Sequence, residues 1–553
     1  MPQTTSSQML ATDGRVDPPA PAVDHDTPAA PSAPASRLVA AIDIGANSLR
    51  LAIAEVLPDG HLEIVDQLQR AAHLGQDTFR RGRLGRQTMR TTVGILRDFH
   101  KTLEFYKVGD VRAVATSAVR EAANADTFLN RVYIATGLDV EVIDTTEESR
   151  LTVSAVRKAL GASIGKKSGH VLITDVGGGS TLLTLLQNGE IAASQSLFLG
   201  AIRIQETLAP ATESHERRME LLRQQVSTAL QTVQSQLHLK KIRTLVAVGA
   251  GARFAAQHLG SAAGGEDVSS IPRAKFNALV RQTERYTADE LVRHHGLNFS
   301  DAESLNPALM VYEALLKATR AREILVPQVA MRDGVLLDLA RIPGGQEDVS
   351  VAEGVLHSAL SIAKKYNADL SHGQHVAELA LRLFDALQTE HRLAARERLL
   401  LRVAGILHEI GGFVSTRAHH KHSYYLIANS EVFGLTREEI NVAAHIARYH
   451  RRSPPKPAHL EYMALPRPTR MLVSKLAAIL RVADALDRNH AQQVRDLRVA
   501  KLEDDIVIYV RGVADLTLER AAVAAKGDMF EDIYGMRLRL DEEPLPLVET
   551  PRV

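Results

Sequence analysis

The chain has 553 residues, 45% of them hydrophobic and 24% charged, a balance ordinary for a soluble globular protein; at roughly 150 residues per domain, three or four domains are expected. Its 66 basic and 65 acidic residues nearly cancel, which argues against a general nucleic-acid binder, and the lack of cysteine excludes disulfides and thiolate chemistry. Without an apolar stretch near the ~18 residues that span a membrane, and without a signal-peptide core, the chain is expected to be cytoplasmic.

The N-terminal segment, residues 1–37, is rich in proline, alanine, serine and aspartate and has no periodic apolar face. It cannot bury enough surface to offset the entropy of ordering, so we predict a disordered tail. Residues 38–162 then alternate β-rich runs with helical patterns, including a helix over about 84–106. This alternation predicts a first α/β domain.

A second domain is predicted over residues 163–345, because the opening of the first domain recurs at residue 171. A strand, an aspartate, glycines, a serine and another strand follow in the same order. Residues 346–553 differ: they are helical and histidine-rich to about 500, then change to short strands and charged turns. We therefore expect two similar α/β domains and a mainly helical third one.

Two aspartate-and-glycine turns, "IDIGANSLR" and "TDVGGGST", each follow a predicted strand. Their N–H groups can hold phosphate oxygens, and Asp43 and Asp175 can hold Mg²⁺ directly or through water. The alternative is a pair of ordinary flexible turns, since short glycine loops often match by chance. The candidate phosphate-binding residues are Gly45, Asn47, Ser48, Gly177, Gly178, Gly179 and Ser180.

Several motifs occur together in a fixed order: "AIDIGANSLRLAI", "AHLGQDTFRRGRLGRQTMRTTVGILRDF", "AVATSAVREAANADTFLNRV", "VEVIDTTEESRL", "LITDVGGGSTL" and "HKHSYYLI". With them, residues 38–490 resemble the exopolyphosphatase/guanosine pentaphosphate phosphohydrolase (Ppx/GppA) family. The resemblance implies two actin-like (ribonuclease H-like) domains of the sugar kinase, Hsp70 and actin superfamily, followed by an all-α domain with a small C-terminal β segment.

The resemblance also implies a reaction, hydrolysis of the terminal phosphoanhydride of inorganic polyphosphate or, alternatively, of guanosine pentaphosphate (pppGpp). Glu148 matches the family residue that activates water, and Arg120 matches the arginine that grips phosphate. Thr116 and Ser117 lie near that arginine. The expected metal is Mg²⁺, beside the two aspartates.

The residues themselves leave alternatives open. Thr145 and Glu148 have the spacing of a capping box, in which the glutamate only caps a helix. Arg120 alone is typical of a solvated helix charge, and Asp43 of a turn former.

The sequence departs from the family pattern at two positions that bear on activity. Leu182 stands where the family has a glutamate after "GGGST", and leucine cannot hold a metal or accept a hydrogen bond. The third glycine loop reads "VGAGAR", with Arg253 and without the usual threonine. These changes keep open a second hypothesis, a polyphosphate- or (p)ppGpp-binding regulatory protein with weakened hydrolysis.

In the helical region, His372, His408-Glu409 and Asp484 resemble the metal site of HD-type phosphohydrolases, with Glu409 in place of the expected aspartate. The alternative is a retained fold without metal; a third, weaker functional hypothesis is an HD-domain hydrolase.

A basic wall is predicted to attract a polyanion, or else to be a solvated helix end. It comprises His419, His420, Lys421, His422, Arg448, His450, Arg451 and Arg452. The expected partners are the polyanionic substrate and a second copy in a homodimer, with no membrane and no specific nucleic acid.

Overall fold

The computed structural model describes residues 36–543 except 166–167, 208–213, 264–266, 341–348, 503 and 514. The predicted disordered tail therefore lies almost wholly outside the described residues. Across the described ranges, no helix has both the length and the apolar character needed to cross a membrane.

The first part of the chain forms a five-stranded mixed sheet, sheet A, in the order β3-β2-β1-β4-β5. Its strands are β1 (Arg37–Ile44), β2 (Ser48–Val56), β3 (Leu62–Ala71), β4 (Asp110–Ala115) and β5 (Val140–Val142). Its helices are α1 (Leu74–Arg81), α2 (Arg86–Tyr106), α3 (Ser117–Arg120), α4 (Ala125–Thr136) and α5 (Thr145–Leu160). The antiparallel hairpin β1–β2 and the parallel pair β1–β4 place the end of β1 at the centre of one sheet edge.

The second part forms a seven-stranded sheet, sheet B, in the order β10-β11-β12-β9-β6-β7-β8. Its strands are β6 (His170–Val176), β7 (Thr181–Gln187), β8 (Glu190–Leu197), β9 (Thr244–Val248), β10 (Ser261–Ala262), β11 (Val268–Pro272) and β12 (Glu323–Pro327). Its helices are α6 (Ala201–Thr207), α7 (His215–Leu237), α8 (Ala250–Leu259), α9 (Arg273–Thr283), α10 (Ala288–His295), α11 (Phe299–Ala318) and α12 (Met331–Ala340). The run β8-β7-β6-β9-β12 repeats the order of sheet A, as the recurring sequence pattern predicts.

Helix α5 joins the two sheets and is buried along most of its length. Leu151 packs in a cluster with Val39 of β1 and Val335 of α12. Further along α5, Val156 packs in a different cluster with Ile173 of β6. The start of α5 is therefore fixed against sheet A and its end against sheet B.

The third part packs helices around one apolar core, with a three-stranded sheet at its C-terminal end. The helices are α13 (Val349–Lys365), α14 (Leu370–Ala386), α15 (Gln388–His391), α16 (Ala395–Leu407), α17 (His419–Ala428), α18 (Arg437–Arg448), α19 (Leu460–Met463), α20 (Arg467–Leu486), α21 (Thr517–Lys526) and α22 (Asp528–Tyr534). The strands are β13 (Leu497–Leu502), β14 (Asp505–Val510) and β15 (Arg537–Glu542). Short 3₁₀ turns lie at Gly161–Ile164, Leu239–Lys241 and Ile410–Phe413.

The predicted fold class, two α/β domains followed by a helical region with C-terminal strands, is confirmed. The helix predicted from about residue 84 begins at Arg86, after α1, which the sequence pattern did not reveal. The division at about 162 and 345 stays a prediction. Helix α12, which precedes the second of these positions, packs against β1 and α5 of the first sheet.

The contact between α12 and α5 depends on Gly334. A Cβ atom on this residue would lie within 2.9 Å of three Leu151 backbone atoms, which cannot rotate away. We therefore expect Gly334→Ala to destabilise the protein by roughly 1–3 kcal/mol, the usual cost of overpacking. The measurement is the shift of the thermal unfolding midpoint.

Gly94, within α2, is the matched control, because a Cβ there meets nothing within 4 Å. Gly94→Ala should leave the midpoint unchanged or raise it, since alanine favours a helix over glycine by about 1 kcal/mol. Equal midpoints for both variants would contradict the close contact.

Candidate active site

The same turn follows the first strand of each sheet. Gly45 N–H donates to Ser48 O at 3.2 Å, and Gly177 N–H donates to Ser180 O at 3.0 Å. Each turn leads from an aspartate on the first strand into the second strand of its sheet. The sequence repeat is therefore a structural repeat, with the two aspartates at equivalent positions.

The two turns touch one another across the space between the sheets. A Cβ atom on Gly178 would lie 2.9 Å from the Cβ of Ala46, and one on Gly179 would overlap Ser117 and Phe79. These glycines do not adopt positive φ angles. They are needed because the second turn lies directly against the first domain.

Helix α6 orients the glycine turn. The N–H groups at its start, on Ala201 and Ile202, donate to the carbonyls of Gly177 and Gly178, both at 2.9 Å. Among the described residues, the N–H groups of Gly178 and Gly179 find no backbone acceptor. This leaves amide donors of the turn available to an anion, as a phosphate loop requires.

Arg203, which the sequence analysis missed, ties the turn to the first domain. Its Nε donates to Gly179 O at 2.6 Å, and its Nη2 donates to both carboxylate oxygens of Glu121, at 2.6 and 2.7 Å. Its guanidinium also lies 4.0 Å from the centre of the Phe79 ring. An arginine in an unremarkable helix gives no sequence signal for this role.

The two turns, the third glycine loop and four acidic side chains, three of them buried, line one cavity of about 140 Å³. The structure brings together all but one of the residues predicted for the phosphate site. They are Asp43, Gly45, Asn47, Ser48, Thr116, Ser117, Glu148, Asp175, Gly177, Gly178, Gly179 and Ser180. Arg120 is the exception: it does not line the cavity, but it donates a hydrogen bond to Glu148, which does.

Glu148 is a buried carboxylate, 7% exposed, near the start of α5. Arg120 Nη1 donates to its Oε1 at 2.5 Å and to Ile143 O at 2.6 Å, which fixes the side chain. Burial raises the pKa of Glu148 to about 7 against the attraction of Arg120. A carboxylate with such a pKa can take a proton near neutral pH.

The capping-box interpretation of Glu148 is wrong. Asp144, not Thr145, is the N-cap of α5, and its carboxylate accepts from the N–H groups of Thr146 and Glu147 at 3.0 and 2.8 Å. Asp144 sits one residue earlier than the predicted cap, so Glu148 lies outside the capping interaction and is free to face the cavity.

Burial also disfavours the charged forms of Asp43 and Asp175. Burial raises the pKa of Asp43 despite Arg50, whose Nη1 lies 3.6 Å from its Oδ2. Burial raises the pKa of Asp175 to about 6, against Arg253 and the hydroxyl of Thr152. Three carboxylates that resist ionisation in one cavity favour the approach of a cation.

Cationic side chains lie beside these carboxylates, a feature that the sequence only hinted at. Arg50 and Arg253 line it. The pKa of Arg253 is lowered by burial and then by the charges of Arg50 and Arg332. Arg332 comes from α12, so no local pattern could reveal it. Together these guanidinium groups provide a positive field for a polyanion.

Leu182 occupies the position in sheet B that corresponds to Arg50 in sheet A. It pairs with Asp175 on the adjacent strand, as Arg50 pairs with Asp43 in the first sheet. Residues paired in this way point to the same face of a sheet. Leu182 therefore lies beside Asp175, buried at 5% exposure, and adds to its apolar surroundings.

The histidine-rich residues divide into two groups. His372, His408 and Asp484 come together as three buried side chains, with Glu409 and His490 beside them.

The predicted basic wall is wrong in part, because His419, His420 and His450 are buried. Burial and neighbouring cations lower the pKa of His420 to about 4, and burial lowers that of His450 well below its usual value. These rings are therefore uncharged at neutral pH, and an exposed cationic surface here is limited to Lys421 and Arg452 with the half-buried Arg448 and Arg451.

Two adjacent glutamates of α5 should respond to pH in opposite ways. The pKa of Glu148 is raised in the fold, so its contribution to stability falls as pH rises from about 4.5 to about 7. In metal-free buffer, Glu148→Gln should raise the unfolding free energy at pH 8 by up to roughly 3 kcal/mol, at about 1.4 kcal/mol per pKa unit. The gain should shrink towards pH 5.

Glu147 is the matched comparison. Burial raises its pKa, but the hydrogen bonds and charges of Arg150 and Arg112 outweigh burial and lower it. Glu147→Gln should therefore destabilise the protein at pH 8 and less so as the pH falls. Denaturant unfolding at both pH values measures the two effects, and shifts of the same sign would refute the assigned environments.

Comparison with known proteins identifies the family. The Ppx/GppA phosphatase family matches residues 52–341, and domain III of the Ppx/GppA phosphatases matches residues 356–522. The chain is 26% identical over 419 residues to a guanosine-5'-triphosphate,3'-diphosphate pyrophosphatase of Vibrio parahaemolyticus, covering 75% of this chain and 81% of that protein. It is 27% identical over 418 residues to the protein of that name from Vibrio vulnificus, with 75% and 81% covered.

A solved exopolyphosphatase from Cytophaga hutchinsonii shares the fold, with a TM-score of 0.50 at 22% identity over 55% of this chain and 98% of that one. Since the family match spans more than half of the residues, the resemblance seen in the ordered motifs is confirmed, and this chain belongs to the Ppx/GppA phosphatase family.

Proposed function

We propose that this phosphatase hydrolyses the terminal phosphoanhydride of inorganic polyphosphate, with water activated by Glu148. The observation that carries the proposal is the single cavity in which two glycine turns and the carboxylates of Asp43, Glu148 and Asp175 meet arginine side chains. A phosphoanhydride end is highly anionic, so its hydrolysis requires positioning and charge neutralisation more than covalent chemistry. The cavity offers N–H donors, guanidinium groups and a carboxylate base.

A divalent metal fits this donor set, and we propose Mg²⁺. Asp43, Glu148 and Asp175 do not form a tight three-ligand cage among the described residues. Mg²⁺ does not need one, because it is usually bound by one or two carboxylates with water and substrate phosphates. Asp43 and Asp175 would hold it, and it would neutralise charge on the transferred phosphoryl group.

The residues of the chain supply the remaining steps. Glu148 accepts a proton from water as the water oxygen bonds to the terminal phosphorus and the bridging P–O bond breaks. Arg120 holds Glu148 in place, while the turns over residues 45–48 and 177–180 donate N–H groups to the phosphate oxygens. The hydroxyls of Thr116 and Ser117, which line the same cavity, are further donors.

A second candidate substrate is pppGpp, since the curated relatives named above are guanosine-5'-triphosphate,3'-diphosphate pyrophosphatases. A cavity of about 220 Å³ adjoins the phosphate cavity and shares Arg50 and Arg253 with it. Phe254 and Gln257 also line it. This space, which has both apolar and amide groups, suits a nucleoside attached to the phosphates better than a further length of polyphosphate.

The decisive assay measures phosphate release from long polyphosphate and from pppGpp side by side, with and without Mg²⁺. Glu148→Gln should reduce the rate by roughly 10²–10⁴-fold, the usual contribution of a general base, while substrate binding is retained. Exposed Glu104 on α2 provides the control, and Glu104→Gln should match the parent. Full activity in Glu148→Gln would remove Glu148 from its role.

A regulatory binding protein with weakened hydrolysis is the other candidate, and Leu182 is the observation that favours it. Leu182→Glu places a carboxylate beside Asp175, where it can add a metal ligand. If hydrolysis has decayed, this variant should gain at least tenfold in phosphate release and need less Mg²⁺ for half-maximal activity. Leu183→Val, on the opposite face of the strand, serves as the control.

A parent that is already fully active, with no gain on Leu182→Glu, would exclude the binding-protein hypothesis and support the enzyme. The expected homodimer has no support from the described contacts and is not part of the proposal.

A further inference from the structure

Asp144 connects the N-terminal ends of two helices that lie far apart in the sequence. Its Oδ1 accepts hydrogen bonds from the N–H groups of Thr146 and Glu147 in α5, at 3.0 and 2.8 Å. Its Oδ2 accepts from the N–H of Arg437, the first residue of α18, at 2.7 Å. The first N–H groups of a helix have no acceptor within it, so one carboxylate satisfies such groups in both helices.

The backbone around Asp144 also determines where Glu148 lies. The carbonyl of Asp144 accepts from the N–H of Glu148 at 3.0 Å. The carbonyl of Ile143, in the peptide group just before Asp144, accepts at 2.6 Å from the Arg120 guanidinium that also donates to the Glu148 carboxylate. A displacement of Asp144 would therefore alter both the backbone and the side-chain contact that place Glu148.

The donor on α18 is held in place by the helical region itself. Thr436 and Glu439 form a capping box at the start of this helix, with hydrogen bonds of 2.8 and 3.3 Å. Arg396 of α16 donates to both carboxylate oxygens of Glu439, at 2.6 and 2.7 Å, and to the carbonyl of Gly434 at 2.7 Å. The N–H of Arg437 therefore has a fixed position and direction.

Packing adds a second contact between the same segment and α5. Phe433, which lies shortly before α18, is 2% exposed and belongs to the apolar cluster that contains Val153 and Val156 of α5. The helical region thus meets α5 near its middle as well as at its start. Two separated contacts limit the rotation of a helix as well as its sliding, because protein interiors are closely packed.

A plain N-cap is the rival account of Asp144. Such a cap needs only one acceptor oxygen, as serine and threonine caps show. Here Oδ1 alone accepts from both N–H groups of α5. The second oxygen contacts α18, which the capping of α5 does not explain.

We infer that Asp144 is a positioning residue through which the helical region holds Glu148 in the phosphate cavity. Asp144 does not line that cavity itself, and the described lining ends at Met331, before the helical region begins. The inference rests on the proposed role of Glu148 as the base, and it applies to either candidate substrate. It gives the helical region a part in the reaction that requires no contact with the reacting phosphate.

The two roles of Asp144 can be separated by Asp144→Asn. The amide oxygen of asparagine can take the place of Oδ1, and asparagine is among the best N-cap residues. Its NH₂ group would then face the N–H of Arg437, and two donors cannot form a hydrogen bond. This variant therefore keeps the cap of α5 and loses the link to α18.

Arg437→Pro removes the link from the other side. Proline has no N–H, and it is favoured at the first position of a helix. Thr436, at φ −71° and ψ 163°, already has the extended conformation that the residue before a proline requires. Arg437→Ala is the matched reference, because it loses the same exposed side chain and keeps the N–H.

The first measurement does not depend on activity. Hydrogen exchange of the full-length chain, followed by mass spectrometry, reports on the first turn of α5. Relative to Arg437→Ala, Arg437→Pro should speed exchange of the amides of residues 146–148 roughly tenfold, the effect of losing one hydrogen bond to a charged group. Asp144→Asn should do the same relative to the parent. Exchange in α2, which packs against α4, should not change. Equal exchange in the proline and alanine variants overturns the inference.

The second measurement is steady-state phosphate release. Relative to Arg437→Ala, Arg437→Pro should lower kcat about tenfold and leave KM unchanged, since misplacement of a reacting group by about 1 Å can cost up to 10²-fold. In a Glu148→Gln background the same exchange of alanine for proline should cost nothing further, because the link acts through Glu148. A further loss there would show general damage to the fold and contradict the positioning role.

The outcomes separate this inference from the proposed function. A parent that releases no phosphate, or a fully active Glu148→Gln variant, refutes the function, and hydrogen exchange then decides whether the link to α18 exists. An impaired Glu148→Gln variant together with equal kcat values for Arg437→Pro and Arg437→Ala refutes the positioning role alone. If Arg437→Pro fails to fold, Asp144→Asn is compared with the parent in both measurements.

Discussion

The burial of α5 between two sheets is the constraint on which the rest of the structure depends. A helix with apolar partners on both sides has little freedom to shift, because movement away from one sheet overpacks the other. Glu148 comes from the start of this helix and Thr152 from the next turn, so both are placed relative to Asp175 by the same packing. The position of the proposed base thus follows from the hydrophobic core and not from a loop.

The proposed phosphate site divides its tasks between backbone and side chains. The turns contribute N–H groups whose direction is set by hydrogen bonds to α6 and by the reverse turns themselves. The carboxylates contribute negative charge that burial makes costly, and the arginines balance it. Because the repeat pairs Asp43 with Arg50 but Asp175 with Leu182, the two halves of the cavity are electrostatically unequal.

Much of this could be predicted from sequence, because strands, turn glycines and acidic residues are local patterns. The α/β repeat and both aspartate turns follow from them, whereas the role proposed for Glu148 comes from the family resemblance, because its local spacing is that of a helix cap. The fit of Gly178 against Ala46, and the roles of Arg203 and Arg332, could not be predicted, since they arise between segments distant in sequence. The prediction of the basic wall was wrong in part for a related reason. A sequence shows residue types and their spacing, but burial decides whether a histidine is charged.

The contact between Gly178 and Ala46 has a consequence for how the molecule can move. These residues belong to different sheets, yet they pack at the same point where the anion is expected to lie. A hinge motion that moves the two sheets apart would separate the two glycine turns as it widens the opening of the cavity. Release of a bound anion and loss of the site's arrangement would then be one event, and the next binding event would begin with reassembly of the two turns.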